Sequence, residues 1–245
     1  MVSTLPGKRK ITFPSDRSLG ELYVIDGEGR SEFLCEAIGT VSIPESRLLS
    51  LYYSFDPASG LTPLAKLKSD DLFSVSFLCS DIGDRELSVL GRLGELREVD
   101  ISCTSISDEG VAHLAACRKL VKLNLSSTKV SDLGMSYLSK LEALEELVLD
   151  DTLVGDEGIG RLVGLTSLKT LSLSFTRVSN KGLAKLRGLS QLERLRLNCT
   201  RIDDQGLNHI ARIATLRELW VRSTDVTYPG LVELTKWLTD CEIIR

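Results

Sequence analysis

The sequence predicts an α/β fold: a right-handed, curved solenoid with a parallel sheet on its concave side and short helices on its convex side. Leucine recurs every 24 residues without insertion or deletion, at Leu72, Leu96, Leu120, Leu144, Leu168, Leu192 and Leu216. Within each block, apolar residues alternate over the first third and return at spacings of three or four over the last third. This pattern indicates a strand followed by a helical turn. One block cannot bury its apolar side alone, so neighbouring blocks must stack into a continuous core.

Residues 1–47 are predicted to form a β-rich N-terminal cap. The segment LYVIDGEGRSEFLCEA has two strand-like runs around a DGEG turn, which is the pattern of a hairpin. A solenoid needs its terminal apolar layer covered. The solenoid is expected over residues 48–245, with a degenerate first repeat at 48–71, seven regular repeats at 72–239 and a final strand at 240–245.

Several positions of the repeat, numbered from the leucine that begins each block, have a predicted structural role. Positions 4 and 6 are apolar in all seven regular repeats and are expected to point into the core. Threonine at position 9 is expected to form internal hydrogen bonds where the strand ends. Aspartate or asparagine at position 13 is expected to cap the helix, which would begin just after it. Glycine at position 15 is expected to let adjacent helical layers approach closely.

The consensus LxxLxLxxTxVxDxGLxxLxxLxx resembles the leucine-rich repeat, whose signature is LxxLxL. Its continuation, TxVxDxGL, is similar to the subtype found in F-box proteins and many bacterial repeat proteins. The resemblance extends over roughly residues 72–240, and it implies a non-enzymatic scaffold that binds protein partners. The substrate-adaptor function of F-box proteins is not implied, because residues 1–47 show strand patterns and no helical F-box.

Composition and charge argue against several classes of function. The net charge is −4 and the isoelectric point is about 5.4, which disfavours general nucleic-acid binding because that affinity rests on a surplus of basic residues. No apolar run has the length of a signal-peptide core or a transmembrane helix. The sequence therefore predicts a soluble, cytoplasmic monomer without membrane contact, and it leaves open delivery by a non-classical export route.

No catalytic, metal or cofactor site is expected. The two histidines, His113 and His209, both fall at position 18 and lie four repeats apart. With neighbouring strands about 4.8 Å apart, they are separated by roughly 20 Å and cannot share a site. Paired acids such as Asp150 and Asp151 lack the alternating oxygen-ligand spacing of a calcium loop.

Functional residues are expected on the concave face, to which positions 3, 5 and 7 point when positions 4 and 6 are buried. At these positions and the adjoining positions 8 and 10, the three repeats from residue 96 carry five carboxylates and two lysines, a net charge of −3. The three repeats from residue 168 carry five arginines and two carboxylates, a net charge of +3. The candidate partner-binding residues are Arg177, Arg194, Arg196, Arg201, Trp220, Arg222, Glu98, Asp100, Glu146 and Asp150.

The sequence leaves two questions about this face open. Arg and Trp are enriched at interface hot spots, which favours a protein partner whose surface is acidic or aromatic. The alternative is that the arginine cluster recognises a non-protein ligand, such as a glycan or a nucleic acid. Trp220 either anchors the partner or covers the C-terminal end of the core.

Overall fold

The computed structural model describes residues 7–245 and begins with four antiparallel strands. Two of these strands form the predicted hairpin around the DGEG turn, where the Asp26 amide donates to the Arg30 carbonyl over 3.0 Å. The other two pair with each other in a separate two-stranded sheet. The four strands are β1 (Lys8–Thr12), β2 (Gly20–Ile25), β3 (Ser31–Glu36) and β4 (Thr40–Pro44).

The repeats contribute short strands that pair in parallel, each with the strand 24 residues further along the chain. Leu171, for example, lies beside Leu147 on one side and Leu195 on the other. The hairpin extends this sheet, because β2 pairs antiparallel with its first repeat strand. The parallel strands are β5 (Leu48–Tyr53), β6 (Ser74–Ser76), β7 (Glu98–Asp100), β8 (Lys122–Asn124), β9 (Glu146–Val148), β10 (Thr170–Ser172), β11 (Arg194–Arg196), β12 (Glu218–Trp220) and β13 (Glu242–Ile244).

Helices on the opposite side of the repeats form the second layer, and each contacts the helices of the adjacent repeats. The 3-10 helices of this layer lie at Thr62–Lys66, Glu86–Arg92 and Leu186–Gly188. The α-helices are α1 (Asp108–Leu114), α2 (Met135–Leu138), α3 (Asp156–Arg161), α4 (Asn180–Leu183), α5 (Asp204–Ile210) and α6 (Tyr228–Thr235).

The hydrophobic core of residues 7–245 lies between the two layers and continues from Ile11 in β1 to Leu238 after α6. Leu171 and Leu195, at position 4, and Leu173, at position 6, are fully buried, which confirms the predicted strand faces. Burying a leucine side chain stabilises the fold by about 1.5–3 kcal/mol. Because the leucine column runs through every layer, this contribution is repeated along the stack.

The position 9 hydroxyls make the predicted internal hydrogen bonds. Thr128 Oγ1 donates to the Leu125 carbonyl over 2.6 Å, and Thr200 Oγ1 donates to the Leu197 carbonyl over 2.6 Å. Both threonines are buried. The bond satisfies a carbonyl group at the point where the chain leaves the strand, so that no buried acceptor is left unpaired there.

The predicted role of position 13 is wrong. The helix cap is the residue before it, as at Ser107, whose hydroxyl accepts from the Glu109 amide. The position 13 carboxylate instead reaches the next repeat: Asp108 Oδ1 accepts from the Ser131 amide over 2.8 Å and the Gly134 amide over 2.9 Å. Because position 13 is already the first helical residue of α1, its side chain bonds the neighbouring layer. We call this column of bonds the position 13 ladder.

The ladder accounts for the glycine at position 15. A Cβ atom on Gly134 would lie 2.5 Å from Asp108 Oδ1, and one on Gly182 would lie 2.6 Å from Asp156 Oδ1. Both distances are shorter than real Cβ contacts, so a side chain here would displace the carboxylate from the amides that it accepts. The prediction that this glycine permits close approach of adjacent layers is confirmed.

Position 8 has an unusual backbone that the residue types do not reveal. All seven regular repeats place a non-glycine residue there with φ between 52° and 59°, in the left-handed region that is costly for L-residues. The turn directs the position 8 amide to the next layer, as when the Cys103 amide donates to the Ser126 carbonyl over 2.8 Å. The residues are Cys79, Cys103, Ser127, Asp151, Phe175, Cys199 and Ser223.

Candidate functional site

The concave face consists of the side chains that alternate with the buried core positions of each strand. In β12, Leu219 is fully buried, whereas Glu218 and Trp220 on either side of it are partly exposed. The same alternation holds in β7 and β9. Position 5 side chains of successive layers therefore lie side by side across the sheet, about 4.8 Å apart.

Arg196 and Trp220 are neighbours on this face. Their Cα atoms are paired in the parallel register of β11 and β12, and the Arg196 guanidinium carbon lies 4.7 Å from the centroid of the Trp220 ring. This geometry is a cation–π contact, which holds both side chains in place. On the other side of Trp220, β13 places Ile244 opposite it.

The remaining candidate arginines differ in how firmly the protein holds them. Arg194 is half-buried, and its Nε donates to Thr170 Oγ1 over 2.9 Å. Arg222, at position 7, and Arg177 and Arg201, at position 10, are exposed and form no ion pair within residues 7–245. Arg194, Arg196, Trp220 and Arg222 are referred to below as the Arg/Trp patch.

The candidate carboxylates lie several layers from this patch and are partly occupied by internal bonds. Glu98 pairs with Lys122 Nζ at 2.8 Å, and the Glu98 carboxylate raises the pKa of that ammonium group. Asp100 Oδ1 accepts from the amide of Ser102 over 2.9 Å and from its hydroxyl over 2.6 Å. Glu146 forms no ion pair among the described residues.

Asp150 and Ser172 depart from the expected solvent-facing arrangement. Asp150 Oδ1 accepts from the Ser172 hydroxyl over 2.6 Å and from the Ser174 amide over 2.8 Å, and so joins two layers. Ser172, at position 5, is fully buried although its position faces the concave side. Neighbouring side chains cover Ser172. The exposed area of the position 5 side chain therefore differs from one repeat to the next.

Three aromatic residues at the N-terminal end of the concave face are absent from the sequence-based candidates. Tyr23, Phe33 and Tyr52 lie on β2, β3 and β5, with the Tyr23 ring centroid 5.6 Å from that of Phe33 and 5.0 Å from that of Tyr52. Tyr52 occupies position 5 of the block that begins at Leu48. It is therefore in the same column as Trp220, and this signal was available in the sequence.

The described part of the chain contains no group of three or more His, Cys, Asp or Glu side chains that could hold a metal ion. His113 and His209 lie on α1 and α5, on the helical layer. Among residues 7–245, no helix is both long enough and apolar enough to cross a membrane.

Comparison with known proteins finds a matching repeat family and similar solved structures. A family profile described as leucine-rich repeat matches residues 96–115, 116–139 and 164–186. The solved structure of internalin F from Listeria monocytogenes is similar, with 26% identity and a TM-score of 0.62 over 75% of this chain. The chain spans 49% of that internalin chain. Internalin C2 of the same species has 21% identity and a TM-score of 0.58 over 78% of this chain and 92% of its own. No curated protein sequence matches significantly.

Proposed function

We propose that this chain, a leucine-rich repeat protein, is a non-enzymatic protein–protein interaction module that binds its partner on the concave face. The fold supports the proposal, because a solenoid presents one continuous surface to which every layer contributes adjacent side chains. The similarity to the internalin F structure supports the solenoid architecture on which the proposal depends.

The contact between Arg196 and Trp220 is the observation on which the proposal chiefly rests. Trp220 is only partly buried, and the guanidinium over its ring holds it in one orientation before any partner arrives. A preordered aromatic side chain loses little conformational entropy on binding. An arginine fork beside it can form two hydrogen bonds with one carboxylate. The Arg/Trp patch therefore suits a partner surface that carries acidic and aromatic groups.

Two observations bear on the alternatives. Strand β13 lies beyond Trp220 and pairs with β12, so the end of the core lies elsewhere, which supports the interpretation of Trp220 as an anchor. A nucleic acid running along the concave face would meet Asp100, Glu146 and Asp150 after leaving the arginines, and these carboxylates would repel its phosphates. A protein partner, whose charge can change sign along its surface, fits the face better.

The experiment compares capture of partners from a lysate of the cells that produce the protein. Trp220→Ala should weaken capture of a specific partner by about 30-fold or more, the equivalent of about 2 kcal/mol. Trp237→Ala is the matched control, because Trp237 is 70% exposed and lies after α6, away from the concave face. Melting temperatures of both variants show how much of any loss comes from unfolding.

Three outcomes contradict the proposal. Equal capture by Trp220→Ala and the wild type would remove Trp220 as an anchor. A large drop in melting temperature with unchanged affinity of the folded fraction would make Trp220 a structural residue. Oligonucleotide binding that is tight and falls steeply with salt would favour the nucleic-acid alternative.

A further inference from the structure

Aromatic residues of the N-terminal hairpin and of β5 form an exposed surface at the end of the concave face opposite the Arg/Trp patch. Phe33 and Tyr52 expose 53% and 51% of their surface, respectively. Both stand edge-on to Tyr23, with interplanar angles of 74° and 64°. Large aromatic side chains normally bury most of their area, so a contiguous exposed group of them marks a site of interaction.

Carboxylates lie on both sides of this aromatic group. Tyr52 lines two hollows, one of about 240 Å³ that also contains Glu98, Asp100 and Glu146, and one of about 480 Å³ that also contains Glu21 and Glu36. Lys122 is the one cationic side chain among the residues that line these two hollows. The surroundings of Tyr52 are therefore strongly anionic.

The chain already holds one ammonium group in this environment. Lys122 Nζ lies 2.8 Å from Glu98, in the same hollow as Tyr52, Asp100 and Glu146. Glu146 adds to the attraction, since its charge also raises the pKa of Lys122. Lys122 neutralises one of the three carboxylates of this hollow. Asp100 and Glu146 form no ion pair among the described residues, although Asp100 Oδ1 already accepts two hydrogen bonds from Ser102.

We propose that Tyr23, Phe33 and Tyr52, together with Asp100 and Glu146, form a subsite for the arginine or lysine side chains of an extended basic segment of a partner protein. The faces and edges of the rings provide apolar contact for the side-chain stem and a cation–π contact for its charge. The carboxylates accept the charge-assisted hydrogen bonds. We call this surface the aromatic–acidic subsite.

The subsite rests on the proposed function, because it assumes that the concave face is the binding surface. It adds a second group of partner contacts at the N-terminal end of that face. Tyr52 and Trp220 are separated by seven strand steps, about 34 Å along the sheet. The two ends carry opposite charge, so a partner that spans both must be basic at one end and acidic at the other. Such a partner can bind in only one direction along the solenoid.

A capped tetra-arginine peptide, labelled for fluorescence anisotropy at low salt, is the probe. We expect Tyr52→Ala to weaken its binding by about fivefold or more, because the variant removes the ring but no charge. Tyr52→Phe retains the ring and should bind within about twofold of the wild type. Binding of a capped tetra-glutamate peptide should be unchanged by Tyr52→Ala, because the carboxylates around Tyr52 repel that peptide.

The charge is tested by Asp100→Asn combined with Glu146→Gln, which should also weaken tetra-arginine binding by about fivefold or more. The fold should tolerate Asn at position 100, because the native Asn124 already accepts the Ser126 amide and hydroxyl in the same way one layer along. Glu109→Gln combined with Glu142→Gln is the matched control. It removes the same number of charges from exposed positions outside the concave face.

The proposal is overturned if Tyr52→Ala binds tetra-arginine like the wild type, or if the two double variants lose affinity equally. Either result would make the attraction a general effect of net charge. Failure here is distinguishable from failure of the Arg/Trp patch. Tyr52 is assayed with a cationic peptide, whereas Trp220 is assayed by capture of the natural partner, and each can fail alone.

Discussion

The position 13 ladder predicts a large effect from one partly buried aspartate. Asp156, the first residue of α3, accepts three hydrogen bonds from the next repeat: the Ser179 amide at 2.8 Å, the Ser179 hydroxyl at 2.6 Å and the Gly182 amide at 2.9 Å. Replacing it with alanine removes all three bonds. It leaves the Ser179 amide without a protein partner, whereas the Gly182 amide keeps its other bond, to the Ser179 carbonyl over 3.0 Å.

The expected cost follows from these bonds. A hydrogen bond to a charged group contributes about 1.5–3 kcal/mol. Access of water to the Ser179 amide and the second bond of the Gly182 amide keep the combined contribution of the two amide bonds near the lower end of the range for two such bonds. The Ser179 hydroxyl can turn to water and contributes little. We therefore expect Asp156→Ala to lower the free energy of unfolding by about 3 kcal/mol. For a chain of this length, that corresponds to a fall of about 9 °C in melting temperature.

Urea denaturation followed by circular dichroism measures the change in the free energy of unfolding. Glu157→Ala is the matched control, since the neighbouring Glu157 side chain is 81% exposed and pairs only with Lys185 at 3.0 Å. This exposed pair should contribute less than about 0.5 kcal/mol. Asp156→Asn should cost about 1 kcal/mol, because Asn180 fills the same position one layer along and its Oδ1 accepts from the Asp203 amide. If Asp156→Ala and Glu157→Ala cost the same, the ladder does not stabilise the stack.

Two further predictions concern the turn at position 8 and the N-terminal cap. Ser223, at position 8, is exposed and has φ of 54°. Ser223→Gly should therefore raise the free energy of unfolding by about 0.5–1 kcal/mol, whereas Ser223→Ala should give no gain. Equal melting temperatures for these two variants would show that the backbone there is not strained. Deleting residues 1–47 removes β2 from the edge of β5 and exposes the buried Leu49 and Leu51. The truncated chain should therefore aggregate or melt without cooperativity. A soluble monomer on size-exclusion chromatography with an unchanged melting temperature would contradict the predicted cap.

The register of the sheet was predictable because the period is constant. Every parallel pairing of the regular repeats joins residues 24 apart, as at Leu195 and Leu219, and a period of constant length leaves no freedom in the alignment of neighbouring layers. The position 9 threonine and the position 15 glycine were predictable for a related reason. Each has a role that local chemistry restricts to a few residue types.

The position 13 error shows where local chemistry is insufficient. Ser and Asp are both common helix caps, and the pair Ser107–Asp108 offers two candidates one residue apart. The adjacent repeat determines which of the two residues is the cap, because Asp108 accepts hydrogen bonds from Ser131 in the next layer and Ser107 is left to cap the helix. The left-handed backbone at position 8 could not be predicted from the residue types either, because residues such as Phe175 do not indicate a positive φ.

Only part of the aromatic–acidic subsite could be predicted from the sequence. Tyr52 could be assigned to the concave face from its repeat position, but Tyr23 and Phe33 belong to the antiparallel hairpin. The register of the hairpin shifts between Leu22 and Tyr23, so that Phe33 and not Leu34 lies opposite Tyr23. A shift of one residue exchanges the two faces of a strand, so the side on which Phe33 lies follows from the bulge and not from alternation alone.

The helical side and the strand side of the repeat have different roles, and this difference explains how the residues of the concave face can vary while the fold is kept. On the helical side, the position 13 ladder and the position 15 glycine fix each layer against the next, and their residue types hardly change. On the strand side, position 5 holds Asp100, Asn124, Val148, Ser172, Arg196 and Trp220 in successive regular repeats from residue 96. Because the spacing of the layers is fixed by the helical side and the buried leucines, position 5 can change in charge and size with little effect on the stack. A solenoid held together in this way sets the distance between the Arg/Trp patch and the aromatic–acidic subsite. In the proposed function, a partner that spans both surfaces must match that distance.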